Sequence, residues 1–543
     1  MNDSGSSQVS RRTVLGALTM IGTTTSLGLG SASATGAGST ADARTESSAP
    51  EATTRHGKVR GKRTSGGGSA FLGIPYAQPP VGDLRLARPA PPIPWTGVRD
   101  AVAFGPAVPQ VPPNTAVPAG DDWLTLNIWL PPGADKPVPV MVWIYGGGYA
   151  SGSADEPTFD GSVLAREGRV AVVTFNYRTG VDGFSHIPGA PANRGLLDQV
   201  ALLRWLRENV GAFGGDARNV TVFGESSGAG CVAALLAMPS ARGLLRRAIV
   251  QSMPRPYVTA RLAYEIGGEI AASAGVGFSR EEMARVPAQT LAEHGAGLQA
   301  RTPDFIDRWG QVAAVGGVYG PVVDGVVLPV DPYRALADGA ACDIELIVGH
   351  TRDENRLFTA LTGQVGKIGP TQLEQALNIF APHGDPVAYQ NAFPGATDEE
   401  LYEIVRSDWL FRMPNMALAT AHARAGGRTY FYEFVHEAVG VGGIRASLHG
   451  IDVPLVFGNW VPGTYSLVFA NPPTDEDHRL GTEVRRAWTR FAHTGSPGWP
   501  RFTGERNAPT KIWGRGDHVG LYPELTSWSL AHGERYSPYD VVE

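Results

Sequence analysis

At the end of an apolar run the chain places two small hydroxyl side chains between glycines: Val220-Thr221-Val222-Phe223-Gly224-Glu225-Ser226-Ser227-Gly228. The run reads as a strand, and Ala229–Met238 after it reads as an apolar helix. Flanking glycines let the backbone turn sharply between the two. A serine on such a corner projects its hydroxyl above the strand end, where it can act as a nucleophile. The G-x-S-x-G register selects Ser226. Centring the motif on Ser227 would require glycine at 225 and 229, which hold Glu225 and Ala229. Ser227 then contributes its backbone N–H, near a helix N-terminus, to a developing oxyanion. A bare G-x-S-x-G arises easily by chance; the strand and helix on either side give it chemical meaning.

A serine hydroxyl needs a base, and the base needs an orienting acid. On a strand–turn–helix corner the chain order is Ser, Asp/Glu, His. The strand Ile344–Val348 leads into the loop His350-Thr351-Arg352-Asp353-Glu354-Asn355, where Asp353 and Glu354 are both placed to be the acid. Ten histidines follow Ser226. His449 is the best placed, after the strand Thr429–Val435 and a glycine-rich loop, but pattern alone does not separate it from a solvated or structural histidine. The oxyanion needs a second source of N–H groups. Trp143-Ile144-Tyr145-Gly146-Gly147-Gly148-Tyr149 ends a strand in three glycines, so amides there approach a ligand without side-chain obstruction. The loop is similar to an HGGG-type loop with tyrosine in place of histidine.

The elements that must position these groups follow a rhythm. Short apolar runs at Leu124–Leu130, Val138–Tyr145, Val170–Asn176, Val220–Phe223, Ala248–Gln251, Ile344–Val348 and Thr429–Val435 alternate with helical patterns such as Leu196–Val210. Nearly continuous apolar strands alternating with helices predict an α/β sheet covered on both faces. Residues 255–310 and 360–428 look mostly helical and read as excursions over the C-terminal edge of the sheet, where such folds bind ligands. Val322-Val323-Asp324-Gly325-Val326-Val327 predicts a hairpin with Asp324 in its turn.

With 543 residues, 43% hydrophobic and 18% charged, the chain has room for one large α/β domain or for two or three domains. A net charge of −6 offers no basic field for nucleic acid. Ser10-Arg11-Arg12-Thr13-Val14-Leu15 opens a mildly apolar run that ends in Ala32-Ser33-Ala34, the pattern of a twin-arginine signal with an A-x-A cleavage site. The run is too short and polar for a stable membrane span. Residues 1–34 are therefore expected to engage twin-arginine export machinery and be removed, leaving a secreted, periplasmic or cell-surface protein. Residues 35–54 read as a disordered linker and 55–543 as a single domain. The two cysteines, Cys231 and Cys342, are expected to be buried free thiols, and no His/Cys cluster has metal-ligand spacing.

At this point the chain resembles the type B carboxylesterases, the cholinesterase-like branch of the α/β hydrolases. The blocks that carry the resemblance are Phe71–Ala77, Leu124–Trp129, the glycine loop, Asn193–Gln199, Phe213–Asp216 and the serine corner. The resemblance implies an α/β-hydrolase fold with a mostly parallel twisted sheet. It makes Glu354 the acid, since Gly349–Glu354 matches the family's G-x-x-x-D-E, and it makes His449 the base, since His449-Gly450-Ile451-Asp452 matches its His-Gly-x-[Asp/Glu]. The oxyanion amides carry over to Gly147, Gly148 and Ser227. Three departures stand out: Asn355 follows the acid in place of glycine, Ser227 replaces alanine, and Trp123 occupies a cysteine position, so that disulfide is absent. Phe104–Asp122 has no tryptophan, which argues against choline esters.

The implied chemistry is acyl transfer through a Ser226 acyl-enzyme on a small-molecule ester, with neither metal nor organic cofactor. A neutral ester with a short or medium acyl chain or an aromatic alcohol is expected. Phe305, Trp309, Phe358, Trp409, Phe411, Phe457 and Trp460 are candidates to line its pocket. An amide, a carbamate or a bulky natural-product ester would use the same machinery. A non-hydrolytic acyl transferase and a binding protein on a dead hydrolase scaffold are the readings from other classes.

Overall fold

The computed structural model describes residues 49–542 except 134, 135, 462, 470 and 471. The expected twin-arginine signal, residues 1–34, lies outside the described residues. The strand Glu51–Thr54 pairs antiparallel with Gly57–Arg60. It falls inside the stretch read as linker, so ordered chain begins upstream of residue 55. The alternation of Ala52 and Thr54 inward with Glu51 and Thr53 outward explains why these small residues form a strand.

Eleven strands form the main sheet: β1 Lys62–Arg63, β2 Ser69–Pro75, β3 Thr125–Leu130, β4 Val138–Ile144, β5 Ala171–Phe175, β6 Gly215–Glu225, β7 Arg247–Gln251, β8 Glu345–Thr351, β9 Thr429–Phe434, β10 Thr510–Trp513 and β11 His518–Gly520. Their spatial order is β1-β2-β3-β5-β4-β6-β7-β8-β9-β10-β11. From β5 through β10 every neighbouring pair is parallel, while both edges are antiparallel. Every residue of β4, β5, β7 and β8 is buried, so their central stretches read as apolar runs rather than alternating ones. The helices Arg194–Asn209, Ser227–Ala237 and Met413–Arg424 cover one face. Ser162–Gly168 and Asp475–Thr494 cover the other.

Two helical excursions leave the C-terminal ends of β7 and β8 and build their own apolar cores, one around Leu262, Ile266 and Trp309, the other around Phe380, Trp409 and Phe411. The chain's later residues lock the first excursion in place. Tyr539 N–H donates to Tyr257 O at 2.8 Å, Thr259 N–H to Tyr539 O at 2.8 Å, and Val542 N–H to Arg308 O at 2.8 Å. The Arg255 guanidinium lies over the rings of Trp409, Tyr536 and Tyr539 and pairs with Glu534 at 2.7 Å, tying both excursions to this segment.

Two expectations fail here. Val322–Val323 forms no hairpin; it pairs in parallel with Val258–Thr259. Asp324 is nonetheless a turn residue, because its Oδ1 accepts the backbone N–H groups of Val326, Val327 and Leu328 at 3.1, 2.9 and 2.9 Å. Cys231 is a buried free thiol, pushed up to about 12 by burial, but Cys342 is free and exposed on the turn before β8.

Candidate active site

Strand β6 delivers Ser226 at its C-terminal end, with φ +56° and ψ −129°, a conformation that L residues rarely adopt. The turn is held on both sides: Ser226 N–H donates to Gln251 O at 2.9 Å and Gly230 N–H to Ser226 O at 3.1 Å. Gly228 is obligatory here, since a Cβ on it would lie 2.0 Å from Ile144 O at the end of β4. The same close approach sets the glycine loop against the nucleophile, where a Cβ on Gly146 would lie 2.9 Å from Ser226 Cβ. Gly147 and Gly148 follow with φ of +117° and +63°, turning the backbone around Ser226. Ser227 opens the helix Ser227–Ala237, so its N–H belongs to the first turn and lacks an intrahelical partner. The Ser227 hydroxyl makes no hydrogen bond among the described residues, and Ser227 lines the cavity.

The acid loop and the histidine loop meet beside this corner. His449 Nδ1 lies 2.5 Å from Glu354 Oε2, with both side chains buried. Glu354 Oε1 accepts the Thr351 N–H at 2.9 Å, which fixes the carboxylate. Burial pushes the Glu354 carboxyl up, but the charge of His449 and its hydrogen bond outweigh burial and hold it below the ordinary range. Asp353, open as an alternative from position, faces elsewhere. Its Oδ2 accepts Ser447 N–H at 2.9 Å and its own N–H donates to Ser447 O at 3.0 Å, so it staples the two loops together.

Two acidic neighbours of His449 were missed. Glu225 Oε1 lies 3.0 Å from His449 Nε2, the ring nitrogen turned toward the serine corner. Nε2 makes no hydrogen bond among the described residues. Asp452 is buried nearby, where Oδ2 accepts from Gln251 Nε2 at 2.7 Å and Tyr432 OH at 3.2 Å; burial pushes it up to about 6. The available signal was a carboxylate inside an otherwise apolar strand, turn and helix. The imidazole itself is destabilised as a cation by burial, yet Glu225 and Glu354 prevail and raise it above 6.5.

A cavity opens at Ser226, with Gly148 and Ser227 in its wall. Of the seven aromatic residues proposed from sequence, only Phe411 lines it. Phe411 and Phe358 pack on the His449 ring at centroid distances of 4.4 and 5.4 Å. Phe305 stacks on Trp309 and Trp409 meets Phe380 within the helical excursions, while Trp460 meets Phe469 beside the main core. Phe457 belongs to the main core, 5.2 Å from Trp143. The walls come mainly from small aliphatic residues, which leave more room than aromatic ones. Among the described residues no group of three or more His, Cys, Asp and Glu side chains is arranged to hold a metal.

A serine corner after a central strand, an acid after β8 and a histidine after β9, on this strand order, define an α/β hydrolase. The sequence profile of the carboxylesterase family matches residues 48–513, and the chain belongs to that family. It is 36% identical over 469 residues to the para-nitrobenzyl esterase of Bacillus subtilis (strain 168), covering 83% of this chain and 92% of that one. It is 34% identical over 501 residues to the fumonisin B1 esterase of Sphingopyxis macrogoltabida, covering 87% and 88%. A solved PNB esterase structure superposes with a TM-score of 0.78 at 34% identity, covering 89% of this chain and 99% of that one. The activity class is carboxylic-ester hydrolysis of the serine type.

Proposed function

We propose that Ser226, His449 and Glu354 form the nucleophile, base and acid of a two-step ester hydrolase. The carrying observation is the buried Glu354–His449 contact, with the free edge of the imidazole turned to the residue beside Ser226. His449 Nε2 takes the hydroxyl proton as Oγ attacks the ester carbonyl. The amides of Gly147, Gly148 and Ser227 stabilise the oxyanion. His449 then protonates the leaving alcohol, and water hydrolyses the acyl-enzyme. Glu354 holds the Nδ1–H tautomer and stabilises the imidazolium.

The proposed substrates are neutral esters with a short or medium acyl chain or an aromatic alcohol, which the uncharged cavity wall supports. Amides and carbamates are the second reading within the same machinery. The paired Arg11 and Arg12 support export of the folded enzyme by the twin-arginine route.

A p-nitrophenyl ester series from acetate to palmitate tests the reading. Turnover should be highest for the shorter chains, and a fluorophosphonate should label Ser226, read by peptide mass. Absence of both turnover and labelling in folded protein would remove the catalytic reading.

The acid limb of the kcat/KM profile should lie above pH 6.5, because two carboxylates favour the imidazolium and only the neutral ring accepts a proton. Glu225→Gln removes one of those charges, so the limb should move to lower pH. An unmoved limb would take Glu225 out of the account.

A further inference from the structure

The cavity at Ser226 is apolar along most of its wall, through residues such as Val258, Ile266, Val312 and Val315, and no Asp, Glu, Lys, Arg or His lines it. Besides Tyr149 OH and Ser227 Oγ at the serine corner, three residues of that wall carry a buried polar side-chain atom: Ser185 Oγ, Gln299 Oε1 and Tyr319 OH. None has a hydrogen-bond partner among the described residues. Ser185 and Gln299 are only 4% and 5% exposed. Buried polar atoms without partners are costly, and native structures retain few of them.

These atoms are held in place from behind. Ser185 ends the short helix Gly180–Phe184, and the buried Arg194 guanidinium takes up the carbonyls of Asp182, Val181 and Ser185 at 2.6, 2.7 and 2.9 Å. The Ser185 hydroxyl takes no part in that network. Tyr319 OH is seated against Gly295 of the helix Ala288–Ala300, where a Cβ would come within 1.6 Å of it. Gln299 is one helical turn further on, on the same face of that helix as Gly295. Burial raises Tyr319 well above the ordinary phenol range, so it remains a neutral hydroxyl.

We infer that Ser185, Gln299 and Tyr319 form a subsite for a neutral hydroxyl group on whichever arm of the ester enters this cavity. The inference rests on Ser226 being the nucleophile. It narrows the substrate class to esters with an apolar body, aryl or alkyl, that carries a distal hydroxyl. A hydroxyl is the matching group because it can both donate to the Gln299 carbonyl and accept from Ser185 or Tyr319. An ether or ketone only accepts, and leaves Gln299 Oε1 without a donor. A carboxylate or ammonium would enter a wall that has no counter-charge.

The test uses matched ester pairs that differ by one hydroxyl. p-Nitrophenyl 3-phenylpropanoate and its 4-hydroxyphenyl analogue probe the acyl arm; phenethyl acetate and 4-hydroxyphenethyl acetate probe the alcohol arm. In one arm the hydroxylated member should have a kcat/KM roughly 10-fold higher or more, and each lost contact should reduce that ratio by about 3- to 10-fold. The reduction is expected in Gln299→Leu, in Ser185→Ala and in Tyr319→Phe, which removes a single oxygen. Each ratio is taken on one protein, so changes in stability or overall rate cancel. A wild-type ratio at or below one in both arms, or a ratio that survives all three substitutions, overturns the subsite. Calorimetric binding of the same pairs to Ser226→Ala gives the comparison without turnover. Tighter binding of the hydroxylated member supports the subsite, and equal binding overturns it. If wild type hydrolyses the esters and labels at Ser226 while the ratios stay near one, only the subsite falls. If neither hydrolysis nor labelling occurs, the nucleophile assignment falls, and the binding comparison alone decides the subsite.

Discussion

Ser226→Ala should fold normally and lose activity by about 10⁶ in kcat on p-nitrophenyl acetate, the scale found when the nucleophile of a comparable triad is removed. The corner is shaped by backbone, through Gly228 against Ile144 O and Ser226 N–H to Gln251 O, and alanine preserves both. Alanine also bears the same backbone strain at φ +56° as serine does. The thermal midpoint should therefore stay close to that of wild type while labelling disappears. A variant that retains activity within about 100-fold of wild type would show that another group attacks, since oxyanion stabilisation alone leaves only about 10³–10⁴ over water.

Glu354→Gln should lower kcat by about 10⁴, the scale of replacing a triad carboxylate by its amide. The geometry predicts why. Glu354 Oε1 is committed to the Thr351 N–H and Oε2 to His449 Nδ1. An amide that keeps the Thr351 bond through its oxygen turns its NH₂ toward Nδ1. Two donors then face each other, and the ring must place its proton on Nε2, where it cannot serve as base. The loss should fall on kcat with little change in KM, because Glu354 does not line the cavity. Measured kcat and KM that change by similar factors would instead indicate a disturbed pocket.

Much of this site was legible in the sequence because it sits where strands end. A parallel strand buried on both faces must be an apolar run, and its C-terminal end must be a turn. Gly224–Gly228, Gly146–Gly148 and the loop at Glu354 therefore announced themselves as breaks in apolar runs. The choice between Asp353 and Glu354 was not legible from spacing. Both follow β8, and only the direction of each side chain relative to Ser447 and His449 separates them. The pocket was the least legible part. Sequence reasoning selected large aromatic residues, but of these only Phe411 reaches the cavity, which is bounded largely by Val, Ile, Pro and Gly that read as ordinary core or turn. Ser185, Gln299 and Tyr319 gave no pattern at all, since they come from three separate segments that reach one cavity only in the fold. The hairpin at Asp324 misled because an Asp-Gly turn specifies a reversal locally and says nothing about which strand Val322 will join.

The segment that locks the first excursion has a kinetic meaning. Thr259 and Asp540 bond at 2.9 Å across 281 residues of chain. The wall that Val258 and Leu410 present to the cavity is thus backed by contacts of very high contact order, whose loop-closure entropy must be met before they contribute any stability. During refolding the sheet can regain its strands while this seam is still open. Enzymatic activity is then a stricter gauge of completed assembly than circular dichroism or compactness, and a preparation rich in secondary structure can still contain molecules whose substrate cavity has not closed.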